Sequence, residues 1–152
     1  MADKSLFEKI ADNEIPNFKV WEDDRFMAWL TPFPNTPGFT VVAPKKNPGD
    51  YVFDLDDELY AALMNACRKV AKLLEKGLGV ERVALVYEGT GVAHVHAKLI
   101  PLHGELGNET NVWSHHQEFY PEYIGYFTTA EGPRMSDGEL QEIQAKIKKA
   151  SA

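Results

Sequence analysis

The sequence predicts an α+β domain in which an antiparallel sheet of about five strands carries one long packed helix, with further helices at both ends. Several short stretches have the apolar or alternating pattern of strands, and a long amphipathic stretch lies between the third and the fourth of them. Capping-box sequences mark the start of a helix near each end of the chain. Because most connections between strands are hairpin-like, we expect antiparallel pairing.

The N-terminal part of the chain contributes a short helix and three strands. Ser5-Leu6-Phe7-Glu8 has the Ser-x-x-Glu form of a capping box and predicts the first helix. Strands are predicted at 20–21 and 25–30, joined by an acidic turn, and at 39–43. The segment 31–38 holds three prolines, which predicts a turn-rich connection between the second and third strands.

A long amphipathic helix follows the third strand. Its apolar residues recur at steps of one, three or four and form a single stripe: Leu59, Leu63, Ala66, Val70, Leu73 and Leu74. Acidic residues lie at its start, where the helix dipole favours negative charge, and Gly77 or Gly79 ends it. Cys67 is predicted at the edge of the packed stripe. A fourth strand is predicted at 83–87.

The most informative stretch is His94-Val95-His96-Ala97-Lys98-Leu99-Ile100, which continues to Pro101. Polar and apolar residues alternate along it, and this predicts a fifth strand with one wet face and one buried face. His94, His96 and Lys98 then share the wet face, with neighbours about 7 Å apart. Two imidazoles and an ammonium in such a row suit an anionic ligand. The turn-forming segment 88–91 leads into the row, so the histidines begin where a loop enters a strand.

The C-terminal part of the chain differs in character from the rest. Residues 102–135 are predicted as an aromatic-rich loop segment, and residues 136–150 as a final helix. That helix begins at a second capping box, Ser136-Asp137-Gly138-Glu139. The sequence shows no internal repeat and no low-complexity segment, and its length suits one core. We therefore predict that residues 1–152 form a single domain.

Composition and charge limit the possible classes of function. The formal net charge of -7 argues against a broad surface for nucleic acid polymers. No apolar run approaches the roughly 20 residues of a membrane helix, and no apolar signal core follows the N-terminus. One cysteine in the chain suits a reducing cytoplasm. We therefore expect a cytoplasmic protein that binds neither membranes nor nucleic acid polymers.

The histidine stretch resembles the signature of the histidine triad (HIT) family of nucleotide hydrolases and transferases. That signature is His-φ-His-φ-His-φ-φ on a strand, where φ is apolar, and Lys98 takes the place of its third histidine. The resemblance extends upstream over 14–16, 21–28 and 37–46, and the last of these is similar to the Pro-Gly-His strand of the family, with Phe39 at the histidine position. It covers roughly residues 14 to 101.

The resemblance implies covalent catalysis. His96, the middle residue of the triad, would attack the α-phosphorus of a nucleotide, and water or another acceptor would then release the nucleoside monophosphate. His94 would orient His96, as the first histidine does in the family. The predicted substrate contacts are the backbone amides of the glycine-rich approach, which would support the phosphate, and a residue in the segment where the family holds the ribose: Gly89, Thr90, Gly91 and Thr31.

Lys98 leaves two functions open. A lysine offers charge and hydrogen bonds to a leaving group but gives up a proton poorly. The first function is a hydrolase or nucleotidyl transferase, without a cofactor, acting on a phosphoanhydride such as a dinucleoside polyphosphate or on a phosphoramidate. The alternative is a catalytically weak nucleotide-binding protein of the same fold. In both cases the resemblance implies a homodimer.

The two histidines of the row also have simpler interpretations. Paired histidines on a strand bind metals in other proteins, and His103, His115 or His116 would complete such a site. Alternatively, the imidazoles are hydrogen-bonded groups of the sheet without a chemical role. No acidic residue falls in the row and no full ligand set is present, so we predict no metal site.

Overall fold

The computed structural model describes residues 3–106, 121 and 133–150. The helices and strands in this part of the chain are α1 (Leu6–Ala11), β1 (Phe18–Glu22), β2 (Phe26–Leu30), β3 (Thr40–Pro44), α2 (Asp57–Leu78), β4 (Val83–Val86), β5 (Ala97–Pro101) and α3 (Asp137–Lys149). A single 3-10 turn, Val52–Asp54, precedes α2. The predicted α+β class is confirmed.

The strands form one antiparallel sheet in the order β1-β2-β3-β5-β4. The register pairs Trp29 with Val41, Val41 with Lys98, and Lys98 with Val86. Residues directly opposite one another in antiparallel strands project from the same face, so these four side chains form a row across the sheet. The row places Lys98 between β3 and β4, inside the sheet.

The main hydrophobic core lies between the sheet and the helices α2 and α3. Apolar side chains from four strands meet the predicted stripe of α2, and α3 packs beside it. The fully buried helix residues in this core include Leu63, Val70, Leu74, Leu140 and Ile147. Amphipathic helices therefore cover this face of the sheet as the periodicity predicts.

A smaller cluster forms on a different set of strand residues, beneath α1. Phe7 and Ile10 of α1 pack with Trp29 and Val41, which are neighbours in the row across the sheet. Alternate residues of a strand point to opposite faces, so α1 lies on the face opposite α2 and α3. The sheet thus carries a helix on each face.

The helix ends follow the local sequence signals. Ser5 and Ser136 form the predicted capping boxes at the starts of α1 and α3. The side chain of Asp56 accepts a hydrogen bond from the backbone N–H of Leu59 at 2.8 Å and caps α2. Gly79, with φ of 67°, adopts the left-handed conformation just after α2 and ends it.

The fifth strand begins at Ala97, three residues later than predicted. The backbone N–H of His94 donates to the carbonyl of Val92 at 2.8 Å, and that of Val95 donates to the carbonyl of Gly49 at 2.7 Å. These groups therefore bond to a local turn and to the loop before α2 instead of the sheet ladder. Alternation in the sequence predicts which side chains are buried together, but it does not identify the hydrogen-bond partners of the backbone.

Most of the aromatic-rich segment predicted at 102–135 lies outside the described residues. The final helix predicted at 136–150 is present as α3. In residues 3–106, 121 and 133–150, no helix combines the length and apolar character needed to cross a membrane.

The contact between α2 and α3 allows a test of the packing. A Cβ added to Gly77 would lie 2.7 Å from the Cα of Ile147, so Gly77→Ala is expected to push α3 away from α2. Overpacking of this kind costs about 1–3 kcal/mol and outweighs a gain of up to about 1 kcal/mol in helix propensity. Urea unfolding followed by circular dichroism measures the difference. Gly138→Ala is the control, because nothing lies within 4 Å of its added Cβ. Equal free energies of unfolding for the two variants contradict the close contact between α2 and α3.

Candidate active site

A cleft of about 530 Å³ lies on the α1 side of the sheet. Trp29, Val41 and Lys98, three members of the row across the sheet, contribute to its lining, and Phe7 and Ile10 line it from α1. Much of the remaining lining is apolar and comes from the connection between α1 and β1 and from the proline-rich connection that follows β2. A mostly apolar cleft of this size with a few polar groups is typical of a small-molecule site.

His96 lines the cleft, although only 5% of its surface is exposed. Its Nδ1 lies 2.7 Å from the backbone carbonyl oxygen of His94. A carbonyl only accepts, so Nδ1 carries the proton and Nε2 is the basic nitrogen. Burial lowers the pKa of His96 and the Lys98 ammonium adds to this, while the hydrogen bond to His94 and the Glu88 carboxylate oppose it. The net lowering keeps the imidazole neutral at pH 7.

His94 is completely buried and uses both ring nitrogens. Its Nε2 donates to the carbonyl oxygen of Pro44 at 2.9 Å, so its Nδ1 accepts from the hydroxyl of Ser5 at 2.7 Å. Burial is the main cause that lowers the pKa of His94. The imidazole therefore connects the cap of α1 to the end of β3. The group of His94 that bonds to His96 is its backbone carbonyl, not its ring.

The helix α1 covers the histidines. The Phe7 ring lies edge-on to His96 with centroids 5.0 Å apart, and its centroid is 5.5 Å from that of His94 and 4.9 Å from that of Trp29. The predicted wet face for His94 and His96 is therefore wrong: both side chains are buried. A six-residue helix is predictable from its capping box, but the surface on which it packs is not.

Lys98 is paired with Glu88, a residue that the sequence did not identify as part of the site. Lys98 Nζ lies 2.8 Å from Glu88 Oε2, and the two side chains are 18% and 9% exposed. Lys98 lines the main cleft, Glu88 lines a small second cavity, and His96 borders both. The signal that could have identified Glu88 is the pairing register of β4 and β5, in which Lys98 lies opposite Val86, two residues before Glu88.

The predicted substrate contacts divide between the two cavities. Thr31, Thr90 and Gly91 line the main cleft with His96, whereas Gly89 borders the small cavity. Gly89 and Gly91 have φ of 74° and 83°, the left-handed region that favours glycine. Five of the seven predicted site residues thus line one cleft, and the other two, His94 and Gly89, lie behind it.

Comparison with known proteins identifies the family. The HIT domain family model matches residues 12–105, which is more than half of the chain. The chain belongs to the HIT family.

Two relatives of this HIT protein match most or nearly all of its length, and a third matches about two thirds of it. "Protein hit" of Bacillus subtilis is 29% identical over 141 residues, which is 89% of this chain and 97% of the relative. The crystal structure of a Hit-like protein involved in cell-cycle regulation from Bartonella henselae has a TM-score of 0.72 at 25% identity, covering 98% and 97% of the two chains. A HIT family hydrolase from Legionella pneumophila has a TM-score of 0.58 at 30% identity over 66% of this chain and 95% of its own.

Three further polar residues of this HIT protein line the cleft without any signal in the sequence. Asn17 donates to the carbonyl oxygens of Ile15 at 3.2 Å and Ile10 at 3.4 Å. Arg134 and Asp137, at the start of α3, form an ion pair of 2.8 Å. Arg134, which precedes α3, and Asp137, its first residue, thus contribute charged groups to a cleft whose other described lining residues lie between 6 and 98.

The described part of the HIT protein contains no set of side chains that would form the alternative metal site. No group of three or more His, Cys, Asp or Glu side chains there is placed to hold a metal ion. His103 donates from Nε2 to the carbonyl oxygen of Pro37 at 2.8 Å. His115 and His116 lie outside the described residues.

The two buried histidines predict a pH dependence of folding. Their pKa values in the folded protein lie below the ordinary 6.5, so the unfolded chain binds more protons once the pH falls below that value. The free energy of unfolding is therefore expected to be highest above pH 6.5 and to fall on acidification, with a slope of up to about 1.4 kcal/mol per pH unit for each histidine. Urea unfolding between pH 7.5 and pH 5, values chosen to span the ordinary pKa of histidine, measures the slope.

Two histidine variants test whether the buried histidines cause this pH dependence of the free energy of unfolding. His96→Asn removes one buried titrating group and is expected to reduce the slope. His103→Asn, the same substitution at an exposed position, is the matched control. A slope that does not differ among the wild type and both variants contradicts the assignment to buried histidines.

Proposed function

We propose that this HIT protein is a nucleotide hydrolase or nucleotidyl transferase that acts at the α-phosphorus of a nucleoside phosphoanhydride or phosphoramidate through a nucleotidyl-histidine on His96. The observation that carries the proposal is the hydrogen bond of 2.7 Å from Nδ1 of His96 to the carbonyl oxygen of His94, within a cleft of about 530 Å³. This bond leaves Nε2 unprotonated, as a nucleophile requires. The description of the Legionella pneumophila relative as a HIT family hydrolase supports the proposal.

The chemistry proceeds in two displacements. In the first, the Nε2 lone pair of His96 forms a bond to the α-phosphorus, and the bond from phosphorus to the leaving group breaks, with its electron pair departing on the leaving group. The imidazole becomes positively charged, and the His94 carbonyl stabilises that charge through the Nδ1 hydrogen bond. In the second, a water oxygen or another acceptor attacks phosphorus, the P–N electron pair returns to Nε2, and the acceptor proton passes to solvent.

The remaining cleft residues have binding roles in this proposal. The apolar part of the cleft takes the nucleobase, since flat aromatic rings gain most from apolar surfaces. Thr31 takes the ribose, and the backbone amides of Thr90 and Gly91, with Gly89 beside them, support the phosphate. Lys98 stands at the third position of the triad and faces the leaving group.

A second candidate function is a catalytically weak nucleotide-binding protein with the same cleft. The observation that favours it is the ion pair between Lys98 and Glu88, because a paired ammonium is a poor proton donor. In this case nucleotides occupy the cleft, but the leaving group is not assisted and little nucleotidyl-histidine accumulates.

The variant His96→Asn tests the proposed nucleophile. Asparagine retains an N–H donor for the His94 carbonyl but lacks Nε2, so turnover is expected to fall by at least about 10⁴-fold, as for removal of other covalent nucleophiles. Rapid-quench trapping followed by mass spectrometry measures the nucleotidyl adduct, using nucleoside polyphosphates, nucleotide sugars and aminoacyl-adenylates as substrates.

The matched control for this variant is His103→Asn, the same substitution at an exposed histidine that lies outside the main cleft. It is expected to retain both the adduct and turnover. Turnover by His96→Asn at the wild-type rate overturns the assignment of the nucleophile. Nucleotide binding without an adduct for any of the three substrate classes favours the second candidate function.

We also propose that this HIT protein is a homodimer. In the described part of the chain, β4 is an edge strand of the sheet, and Leu85 on it is 39% exposed. An uncovered edge strand offers backbone groups to a second copy. Light scattering at micromolar concentration is expected to give twice the chain mass of 17.1 kDa. A mass equal to that of one chain rejects the dimer.

A cytoplasmic location completes the proposal. Cys67 is the one cysteine of the chain, is 2% exposed, and has its Sγ 3.2 Å from the hydroxyl oxygen of Tyr87. Burial raises the pKa of this thiol to about 11, so it stays protonated and unreactive. A chain with one inert thiol depends on no disulfide within itself and suits a reducing compartment.

A further inference from the structure

We propose that the Lys98–Glu88 ion pair selects the leaving group, so that the site cleaves nucleoside phosphoanhydrides and discriminates against nucleoside phosphoramidates. The inference rests on the proposed function and narrows its substrate class. It assigns Glu88 as a residue that determines specificity by acting through Lys98. The physical basis is that the pair neutralises a departing anion without supplying a proton.

The ion pair is built into the sheet. Lys98 lies on β5 between its partners Val41 and Val86, and Glu88 lies just after the end of β4. At 18% and 9% exposure, it is the most buried ion pair in the described part of the chain. A buried ion pair is held in one geometry by the surrounding packing, and loss of one charge removes a favourable interaction of the other.

The pair also lies beside the proposed nucleophile. Lys98 and His96 line the main cleft together, and Glu88 and His96 line the small cavity together. Their charges act in opposite directions on the pKa of His96, which Lys98 lowers and Glu88 raises. The reacting imidazole is therefore flanked by a cation and an anion whose net charge is zero.

This arrangement determines what Lys98 can give to a leaving group. An ammonium has three N–H donors, and Glu88 accepts from one of them, so two remain for the oxygen atoms of a departing phosphate. Transfer of a proton from Lys98 would remove the positive charge that lies beside the buried Glu88 carboxylate, which is unfavourable. Lys98 therefore supplies hydrogen bonds and a fixed charge, but no proton.

The two substrate classes differ in what they need from this position. In a phosphoanhydride, attack by His96 breaks a P–O bond, and the electron pair leaves on a phosphate oxygen that is stable as an anion and needs only charge stabilisation. In a phosphoramidate, the P–N bond breaks and the electron pair leaves on an amine nitrogen, which must gain a proton as it departs. The Lys98–Glu88 pair assists the first departure and leaves the second without a donor.

The experiment compares two substrates that share a nucleoside 5′-phosphoryl group: a dinucleoside polyphosphate and a phosphoramidate of a primary amine, each made with adenosine, guanosine and uridine. The measured quantity is the ratio of kcat/KM for the anhydride to that for the amidate, and the adduct on His96 is trapped in parallel. The wild-type ratio is expected to be at least about 100, the effect of a missing general acid.

Two variants test the pair itself. Lys98→His places beside Glu88 an imidazole, whose ordinary pKa of about 6.5 lets it give up a proton far more readily than lysine, with an ordinary pKa of about 10.4, and is expected to lower the ratio by about 100-fold. Glu88→Gln removes the carboxylate that lies 2.8 Å from Lys98 Nζ and is expected to lower the ratio by about tenfold. The matched control is Glu75→Gln, which breaks the exposed pair with Lys72 on α2 and is expected to leave the ratio unchanged.

The outcomes separate this inference from the proposed function. Adduct formation on His96 with a wild-type ratio near or below one overturns the leaving-group selection and leaves the proposed function standing. No adduct with either substrate and any of the three nucleosides overturns both. An equal ratio in Glu88→Gln, Glu75→Gln and the wild type shows that Glu88 does not select the leaving group. A loss of stability does not change this ratio, because both substrates are measured with the same fraction of folded protein.

Discussion

The buried imidazole of His94 is the constraint on which the site depends. Both of its ring nitrogens are used, by the carbonyl of Pro44 and the hydroxyl of Ser5. Burial lowers the pKa of His94 and favours the neutral ring, in which Nε2 donates to Pro44 and Nδ1 accepts from Ser5. Ser5 also caps α1, and the carbonyl of His94 fixes the ring of His96. One neutral side chain thus sets the position of a helix, the end of a strand and the tautomer of the proposed nucleophile.

Covering the site with α1 has chemical consequences. Phe7 packs against both imidazoles and excludes water from them, which favours their neutral forms. Electrostatic interactions are stronger in such surroundings than in water, so a single hydrogen bond at Nδ1 of His96 stabilises a developing positive charge effectively. The burial that lowers the basicity of the His96 ring also keeps it in the neutral form, which the proposed attack requires, at neutral pH.

Charge in the cleft is local and balanced. The chain carries a net charge of -7, yet Lys98 and Arg134 both line the cleft, each paired with a carboxylate. A cation that is paired in the free protein has fixed geometry, so it does not have to be ordered when an anionic ligand arrives. The pairing of Lys98 is far more buried than that of Arg134, so solvent and salt screen it less.

The sequence by itself determined the helices, the antiparallel sheet and five of the residues that line the cleft, because periodicity, caps and a local motif are properties of neighbouring residues. Alternation in the histidine stretch correctly placed Val95 and Ala97 in the core. Only the tertiary structure decided that α1 covers His96, that Ser5 binds His94 across 89 positions, and that Glu88 pairs with Lys98. These contacts depend on where a short helix packs and on which buried polar groups pair with one another. No local sequence pattern encodes either.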